Sequence, residues 1–402
     1  MSNDAQKISM AAAAVIAFNA MVGAGVLLMP AILNSLVGPA SIFTLLLSSL
    51  LVLTMGLSLG KAAEVYPGAG WSYLYPSKWA GHKIGLLSSF SYIIGLLLAM
   101  GVLVQQAGIW VHKVIPFIPV QPLGIYILLI LMVLILAGAK TSSGVQYLID
   151  ALVIIGLFLS GLFGWLNFNP STLTPFMPKG FTSIFSAGPS LLFSFLGFEC
   201  VCSLYPIVRE PGKNVPRALA FSVLGVATLY FTFVFGLLYS IPSEYFAGGV
   251  NVPLVDVLLV AFPKYKILGW LVTTGAIFGI VGTLHSVVWA VSELLTSVLE
   301  KVQSRFIKTT LKKGFWNEKV SVLFCTAIVL LSALMAHGES LVSIIAFFIV
   351  PSYTLSIISL LFIKNKKKTQ NIFITIFALL GGGLMIYFSG ASAFETILKV
   401  LK

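Results

Sequence analysis

The amino-acid sequence predicts an all-α integral membrane bundle of about eleven helices, built as two inverted five-helix halves plus one added helix. Three observations lead there. Of 402 residues, 58% are apolar and 9% charged, whereas a soluble domain carries about 25% charge. Lipid, not water, must therefore solvate most of the chain. Apolar runs recur eleven times, each near the roughly 20 residues needed to cross a bilayer as a helix. The first and sixth runs are both interrupted near mid-span, the pattern of a bundle made from matched repeats.

The runs fall at about 8–36, 40–60, 84–111, 123–139, 145–166, 185–208, 217–241, 266–296, 320–336, 340–363 and 371–389. The first is long enough to be tilted or broken, and holds Met21-Val22-Gly23-Ala24-Gly25-Val26 before Met29-Pro30. A long stretch, 61–83, follows the second. The sixth holds Ser194-Phe195-Leu196-Gly197-Phe198-Glu199 and then Pro206. A second long stretch, 242–265, follows the seventh and matches the first. The ninth run is short and is parted from the tenth by little more than His337-Gly338-Glu339. Residues 1–166 would form the first repeat and 167–364 the second. Five helices per repeat make the second enter from the opposite side, and 365–402 adds the eleventh helix and a tail.

Charge gives an orientation. With the N-terminus inside, eighteen of the 24 basic residues fall in inside loops, the bias that sets membrane topology. That accounts for the net charge of +12 without nucleic acid. It also puts the C-terminus outside, with the tail from Ala391 on the membrane surface. No cleavable signal peptide is evident, because the first apolar run is too long. Cys200 and Cys202 are two apart and point in different directions on a helix, which suits neither a disulfide nor a metal pair. Of the histidines His82, His112, His285 and His337, one lies in mid-membrane, so no haem or histidine metal cluster is expected. No nucleophile–base pair or paired carboxylate is evident either. An enzyme and a cofactor are not expected.

A single glycine in a membrane helix is most simply a packing residue. Two matched interruptions, one beside a carboxylate, say more. Unwinding frees N–H and C=O groups that lipid cannot satisfy, so a break must line a cavity or bind something. Free N–H groups at 23–26, at the positive end of a half-helix, would hold a carboxylate. Free carbonyls at 195–199 would hold an ammonium group. Together they make a site for a zwitterion such as an α-amino acid. Glu199 beside the second break is the first candidate for gating or proton transfer, against the plainer role of capping freed N–H groups. His285 is a second proton candidate. Trp289 and Glu293 share its helix face and are taken as bystanders, with Glu293 reaching the inner interface. Gln105 and Gln106 either line the cavity or bond across helices. Lys140 and Asp150 are expected as interface anchors at the start of the fifth span. Arg209, Glu210, Lys213 and Arg217 form an inner-surface cluster.

Met21-Val22-Gly23-Ala24-Gly25-Val26 with Pro30 resembles the first-helix signature of the amino acid–polyamine–organocation permeases. Phe193-Ser194-Phe195-Leu196-Gly197-Phe198-Glu199, with Glu210-Pro211-Gly212-Lys213-Asn214-Val215-Pro216-Arg217 behind it, resembles their sixth helix and following loop. Tyr66-Pro67-Gly68-Ala69-Gly70, with Tyr73 and Tyr75, is similar to the loop between their second and third helices. The resemblance covers most of residues 8–300, and the sixth-helix stretch is its specific part.

What the resemblance implies is the LeuT-type fold with helices 1 and 6 broken, alternating access, and an amino acid or amine substrate. The site it implies comprises Val22, Gly23, Ala24, Gly25, Met100, Phe193, Phe195, Gly197 and Phe198. Arginine and polyamine members carry a tryptophan where this chain has Phe193. Their eighth-helix tryptophan maps onto Val287, and their third-helix asparagine falls near Met100. Losing these groups suits a neutral aliphatic side chain better than a cation, since cation–π attraction is strongest with Trp. The fifth-helix lysine that some members use for proton coupling is absent between Val145 and Leu166. The expected function is secondary active transport of a neutral amino acid. A cationic amino acid or polyamine antiporter is the alternative within the class, and a channel or structural subunit the alternative outside it. Proton or sodium coupling, a homodimer and a bacterial inner membrane complete the expectation, with no metal and no nucleic acid.

Overall fold

The computed structural model describes residues 7–400 apart from 24, 189–190, 192–193, 247–252, 304–309, 311–315, 336–339 and 364–371. Among the described residues no strand forms, and helices account for nearly all regular structure. The first span is two helices, α1 (Met10–Met21) and α2 (Gly25–Leu36), bent by 48° at the intervening break. There follow α3 (Ser41–Val65), α4 (Trp71–His112), α5 (Val120–Leu136), α6 (Ala139–Val153) and α7 (Leu159–Leu166). A π-helical turn, Ile154–Phe158, joins α6 to α7. Short helices α8 (Ser183–Ser186) and α9 (Cys200–Ser203) flank the second break. Then come α10 (Pro211–Tyr230), α11 (Gly236–Leu238), α12 (Leu254–Ala261), α13 (Lys266–Leu299), α14 (Glu318–Met335), α15 (Ser340–Ile358) and α16 (Ile372–Val400).

Five of these stretches are long and apolar enough to cross a membrane: Ser41–Val65, Trp71–His112, Gly144–Leu166, Pro211–Leu238 and Lys266–Leu299. The α1–α2 pair makes a sixth if its two pieces are one span. The chain is an integral, multi-pass membrane protein. Two loops read from the sequence are largely helical. In the 61–83 stretch, α3 runs on to Val65 and α4 begins at Trp71, with a kink at Gly81 (φ 83°) that suits a residue without Cβ. The tail from Ala391, expected to lie on the surface, continues α16 as far as Val400.

At the centre, α1 packs on α6, α9, α10 and α13. Ser9 caps it, accepting from the Ala12 N–H at 3.1 Å. Just before that cap, the Ile8 N–H donates to the Ile207 carbonyl (2.8 Å) and the Arg209 N–H to the Ile8 carbonyl (3.0 Å). This isolated parallel bridge joins the approach to α1 to the stretch that follows α9.

Helix α7 crosses the junction of α10 and α11 with the backbones in contact. A Cβ on Gly236 would overlap the Gly161 carbonyl, and one on Gly164 would overlap Gly236 itself. Small residues at such a crossing replace the hydrophobic drive that lipid does not supply. A π turn at Phe231–Phe235 carries α10 into α11, and the Thr232 carbonyl within it accepts from the Trp165 indole at 3.0 Å. Gly236→Val is expected to force these spans apart and to lower the melting temperature in a detergent thermal-shift assay by at least several degrees, about 2–4 °C per kcal/mol. Gly144→Ala, in open space on α6, is expected to leave it unchanged or raise it slightly, since alanine is about 0.5–1 kcal/mol better inside a helix.

Candidate functional site

The two breaks meet at the centre of the bundle. At the first, Val22 ends α1 with its N–H on the Phe18 carbonyl (3.1 Å), and the Gly23 N–H turns back to the Met21 carbonyl (2.9 Å). One of the N–H groups expected to be free is therefore already used. Gly25 and Val26 open α2, whose first-turn N–H groups have no acceptor in their own helix. At the second break, the chain from Phe195 to Glu199 is a turn that leads into α9. The Gly197 and Glu199 carbonyls accept from the Cys200 and Cys202 amides. The carbonyl set expected for an ammonium group narrows to Phe195, Leu196 and Phe198. Ala24 and Phe193 lie outside the described residues.

Gly197 brings the breaks into contact. Its φ of 111° belongs to the region glycine favours, and a Cβ there would lie 2.5 Å from the Ala20 carbonyl oxygen. On the other side, a Cβ on Gly23 would be 3.1 Å from Thr283 Oγ1 of α13. Thr283 donates that hydroxyl to the Asn19 carbonyl at 2.7 Å. Tyr230, at the end of α10, lies within hydrogen-bond distance of a carbonyl at each break, Met21 (2.9 Å) and Ser194 (2.8 Å). Its single O–H proton is shared between them. Its ring packs on Phe195 at 5.0 Å between centroids.

Glu199 is fully buried, with both oxygens engaged. The Tyr92 hydroxyl of α4 donates to Oε1 at 2.5 Å, and the Gly197 N–H donates to Oε2 at 3.2 Å. The carboxylate thus caps a freed backbone N–H, the plainer of its two expected roles, and also ties α4 to the break. Around it stands an aromatic cluster. Trp71 meets Tyr92 edge-on at 4.9 Å, and Tyr353 of α15 lies 6.1 Å from both and 5.4 Å from Phe198. The Tyr353 hydroxyl faces the same carboxylate without a well-formed hydrogen bond of its own.

Of the residues expected from the sequence, Val22, Gly23, Gly25, Phe195, Gly197, Phe198 and Glu199 are gathered at the breaks. Met100 is buried on α4, eight residues past Tyr92 and so turned by roughly 80° from it. No described hydrogen bond ties it to either break. His285 sits with Gln146 and Asn19 on the α1 side of the first break. Gln105 donates to the Ala333 carbonyl at 2.7 Å, a bond across helices. Asp150 is corrected: it stands eleven residues into α6, half-buried, with Oδ1 enclosed and unpartnered, and is not an anchor at the helix start. Glu293 is likewise half-buried. Sequence reading passed over Asn19, Tyr92, Gln146, Tyr230 and Tyr353. For Asn19 the signal was there, a lone amide in an alanine-rich apolar run two residues before the break.

Two broken helices meeting backbone to backbone inside a multi-pass bundle form the candidate site of this membrane protein. The amino acid permease family profile matches residues 8–398, and the chain belongs to that family. Among similar proteins, the Bacillus subtilis branched-chain amino acid permease BcaP is 24% identical over 65% of this chain and 60% of its own length. The vacuolar cationic amino acid transporter 4 of Arabidopsis thaliana is 22% identical over 70% of this chain and 50% of its own. The aspartate–proton symporter of B. subtilis is 24% identical over 59% of this chain and 48% of its own. The chain thus spans about half to three-fifths of the length of these relatives.

Tyr230→Phe removes the hydroxyl shared by the two breaks. It is expected to cost about 1–3 kcal/mol, the penalty for leaving a buried polar group unpaired, read as a lower melting temperature with the helical circular dichroism retained.

Proposed function

We propose that this chain carries a neutral, aliphatic α-amino acid across the membrane by alternating access, with the substrate's charged groups held between the two helix breaks. The observation that carries the reading is the meeting of the breaks at Gly197 and Ala20. It sets the opening of α2, rich in unpaired N–H groups, beside the turn at 195–199 with its remaining carbonyls. An α-carboxylate suits the first and an α-ammonium the second. The residues proposed to hold the substrate are Val22, Gly23, Ala24, Gly25, Phe193, Phe195, Gly197 and Phe198, with Met100 deeper on α4.

The neutral preference rests on Glu199. Both of its oxygens are already taken by Tyr92 and Gly197, so it offers no free carboxylate to a cationic side chain. Phe195, Phe198 and Tyr230 supply apolar surface instead, and one relative is named for branched-chain amino acids. The reading includes the LeuT-type arrangement, with repeats at 1–166 and 167–364, an added helix at 365–402, and the N-terminus inside. In it, the Ile8–Val208 bridge is the closed inner gate. Proton coupling is the favoured form of energy input, and one relative is named as a proton symporter.

The test is uptake and exchange of a labelled amino-acid panel in proteoliposomes, wild type beside Glu199→Gln. Saturable uptake of leucine-like substrates with trans-stimulation is expected. The variant should lose about tenfold or more, because a Gln nitrogen turned toward Gly197 sets donor against donor and each charge-assisted bond is worth about 1.5–3 kcal/mol. Selective transport of arginine would overturn the aliphatic preference, and no movement by verified folded protein would overturn the carrier reading. Cysteines at Ile8 and Val208 give a second prediction. Oxidation should stop uptake, and reduction should restore it, if the bridge opens in each cycle.

A further inference from the structure

Three polar side chains that the substrate site does not use meet beside the first break. Asn19 of α1, Gln146 of α6 and His285 of α13 are each fully buried. Asn19 Nδ2 donates to Gln146 Oε1 at 2.7 Å and to the Gln146 carbonyl at 3.3 Å. Gln146 Nε2 in turn meets His285 Nδ1. An amide nitrogen is a donor only, so Nδ1 must accept and the imidazole must be neutral, with its proton on Nε2. Both ends of the chain are left open. Asn19 Oδ1 is an enclosed acceptor without a donor, and His285 Nε2 is an enclosed group without a partner.

Adding one proton reverses the chain. A proton on Nδ1 would face the Gln146 N–H, donor against donor. The conflict is relieved when the Gln146 amide turns over, so that Oε1 accepts from Nδ1 and Nε2 points at Asn19. Asn19 must then turn as well, presenting Oδ1 and giving up both bonds from its Nδ2. A proton bound on α13 is thereby felt in the last turn of α1, two residues before that helix ends.

Among the described residues no ion pair to His285 is formed. Among the described residues, α1 brings no titratable group, and α5 brings Tyr126, which is exposed. On α6, Asp150 lies one turn beyond Gln146. Tyr92 of α4 and Glu199 are engaged with each other. Cys325 of α14 is buried, Asp256 of α12 lies at the far end of α13, and Glu293 is two turns along α13 itself. Burying an unpaired cation is costly, so a conformation that wets the site is favoured once the proton is bound. The element whose withdrawal would wet it is α1, which carries Asn19 and packs on both α6 and α13.

We propose that His285, with Gln146 and Asn19, is the proton-binding site of this carrier and a latch on α1: the neutral imidazole holds the half-helix in place, and the protonated one releases it. The inference rests on the transport reading for what release accomplishes, but release itself is measurable without substrate.

The experiment follows thiol labelling of Ala13→Cys, a buried position on α1, relative to Ala11→Cys, an exposed one, in the full chain reconstituted in nanodiscs. The ratio cancels the pH dependence of the thiol, and the unsubstituted chain reports the background of its three buried cysteines. Between pH 8 and 5 the ratio should rise about tenfold, the effect of a one-unit difference in proton affinity between the two states. His285→Gln, which keeps an acceptor for Gln146 but takes up no proton, should hold the ratio low at both pH values. Gln146→Met, which cuts the chain, should hold it high at both. A flat ratio with His285 present overturns the proposal without any further variant, as does a pH response that survives His285→Gln. Should the ratio respond while no amino acid is transported, the transport reading falls and the latch stands.

Discussion

A helix interrupted inside a bilayer leaves backbone N–H and C=O groups that lipid cannot satisfy, each costing several kcal/mol. Much of this fold follows from finding partners for them. Helix α10 must run between the two breaks so that Tyr230 reaches Met21 on one side and Ser194 on the other. Helix α4 must bring Tyr92 to Glu199, because that carboxylate is itself the cap of the Gly197 N–H. Helix α13 must bring Thr283 to the Asn19 carbonyl. Each of these helices brings one buried hydroxyl to a break or to the carboxylate that caps it.

The same constraint explains why backbone, more than side chain, lines the centre. Gly197 lies against Ala20, and a Cβ on Gly279 would be 2.8 Å from the Val22 carbonyl oxygen. No larger residue fits at either contact. What remains at the junction is a helix N-terminus on one side and carbonyls on the other, flanked by the rings of Phe195 and Tyr230. That chemistry is shared by every α-amino acid. On the proposed reading, selection among amino acids would come from the apolar walls.

The sequence made the class of fold and the two breaks plain because both are written in composition and local pattern. Glycine at 23, 25 and 197 and the runs of apolar residues need no partner to be read. The partners themselves were not legible, since they depend on which faces of distant helices meet. Tyr92, Tyr230 and Tyr353 look like ordinary aromatics in apolar runs, and nothing in their surroundings says that their hydroxyls converge on the breaks. Asp150 was misplaced for a related reason. The apolar run was taken to start at 145, which put Asp150 near the interface, whereas the helix begins at Ala139 and carries it further in. Glu199 was found readily, because a lone carboxylate in an apolar run has few roles to choose from. Which role it takes required Tyr92, more than a hundred residues away in sequence.

The attachment of α1 differs in kind from that of the helices around it. Hydrogen bonds hold its two ends: Ile8 with Ile207 and Arg209 at one, and Asn19 and Met21 with Gln146, Thr283 and Tyr230 at the other. Between them, the buried face sets Ala12, Ala13 and Ala17 around Ile16 and Phe18. By contrast, α4 sets Trp71, Tyr75 and Tyr92 into the bundle as fully buried rings, and moving it would open voids that apolar contacts resist. Hydrogen bonds are short-ranged, so in the proposed cycle those at the two ends of α1 would be lost together if it shifted, and water entering with the shift would replace them. The short length of α1 and the 48° bend between it and α2 set it apart from the continuous helices α3 and α13.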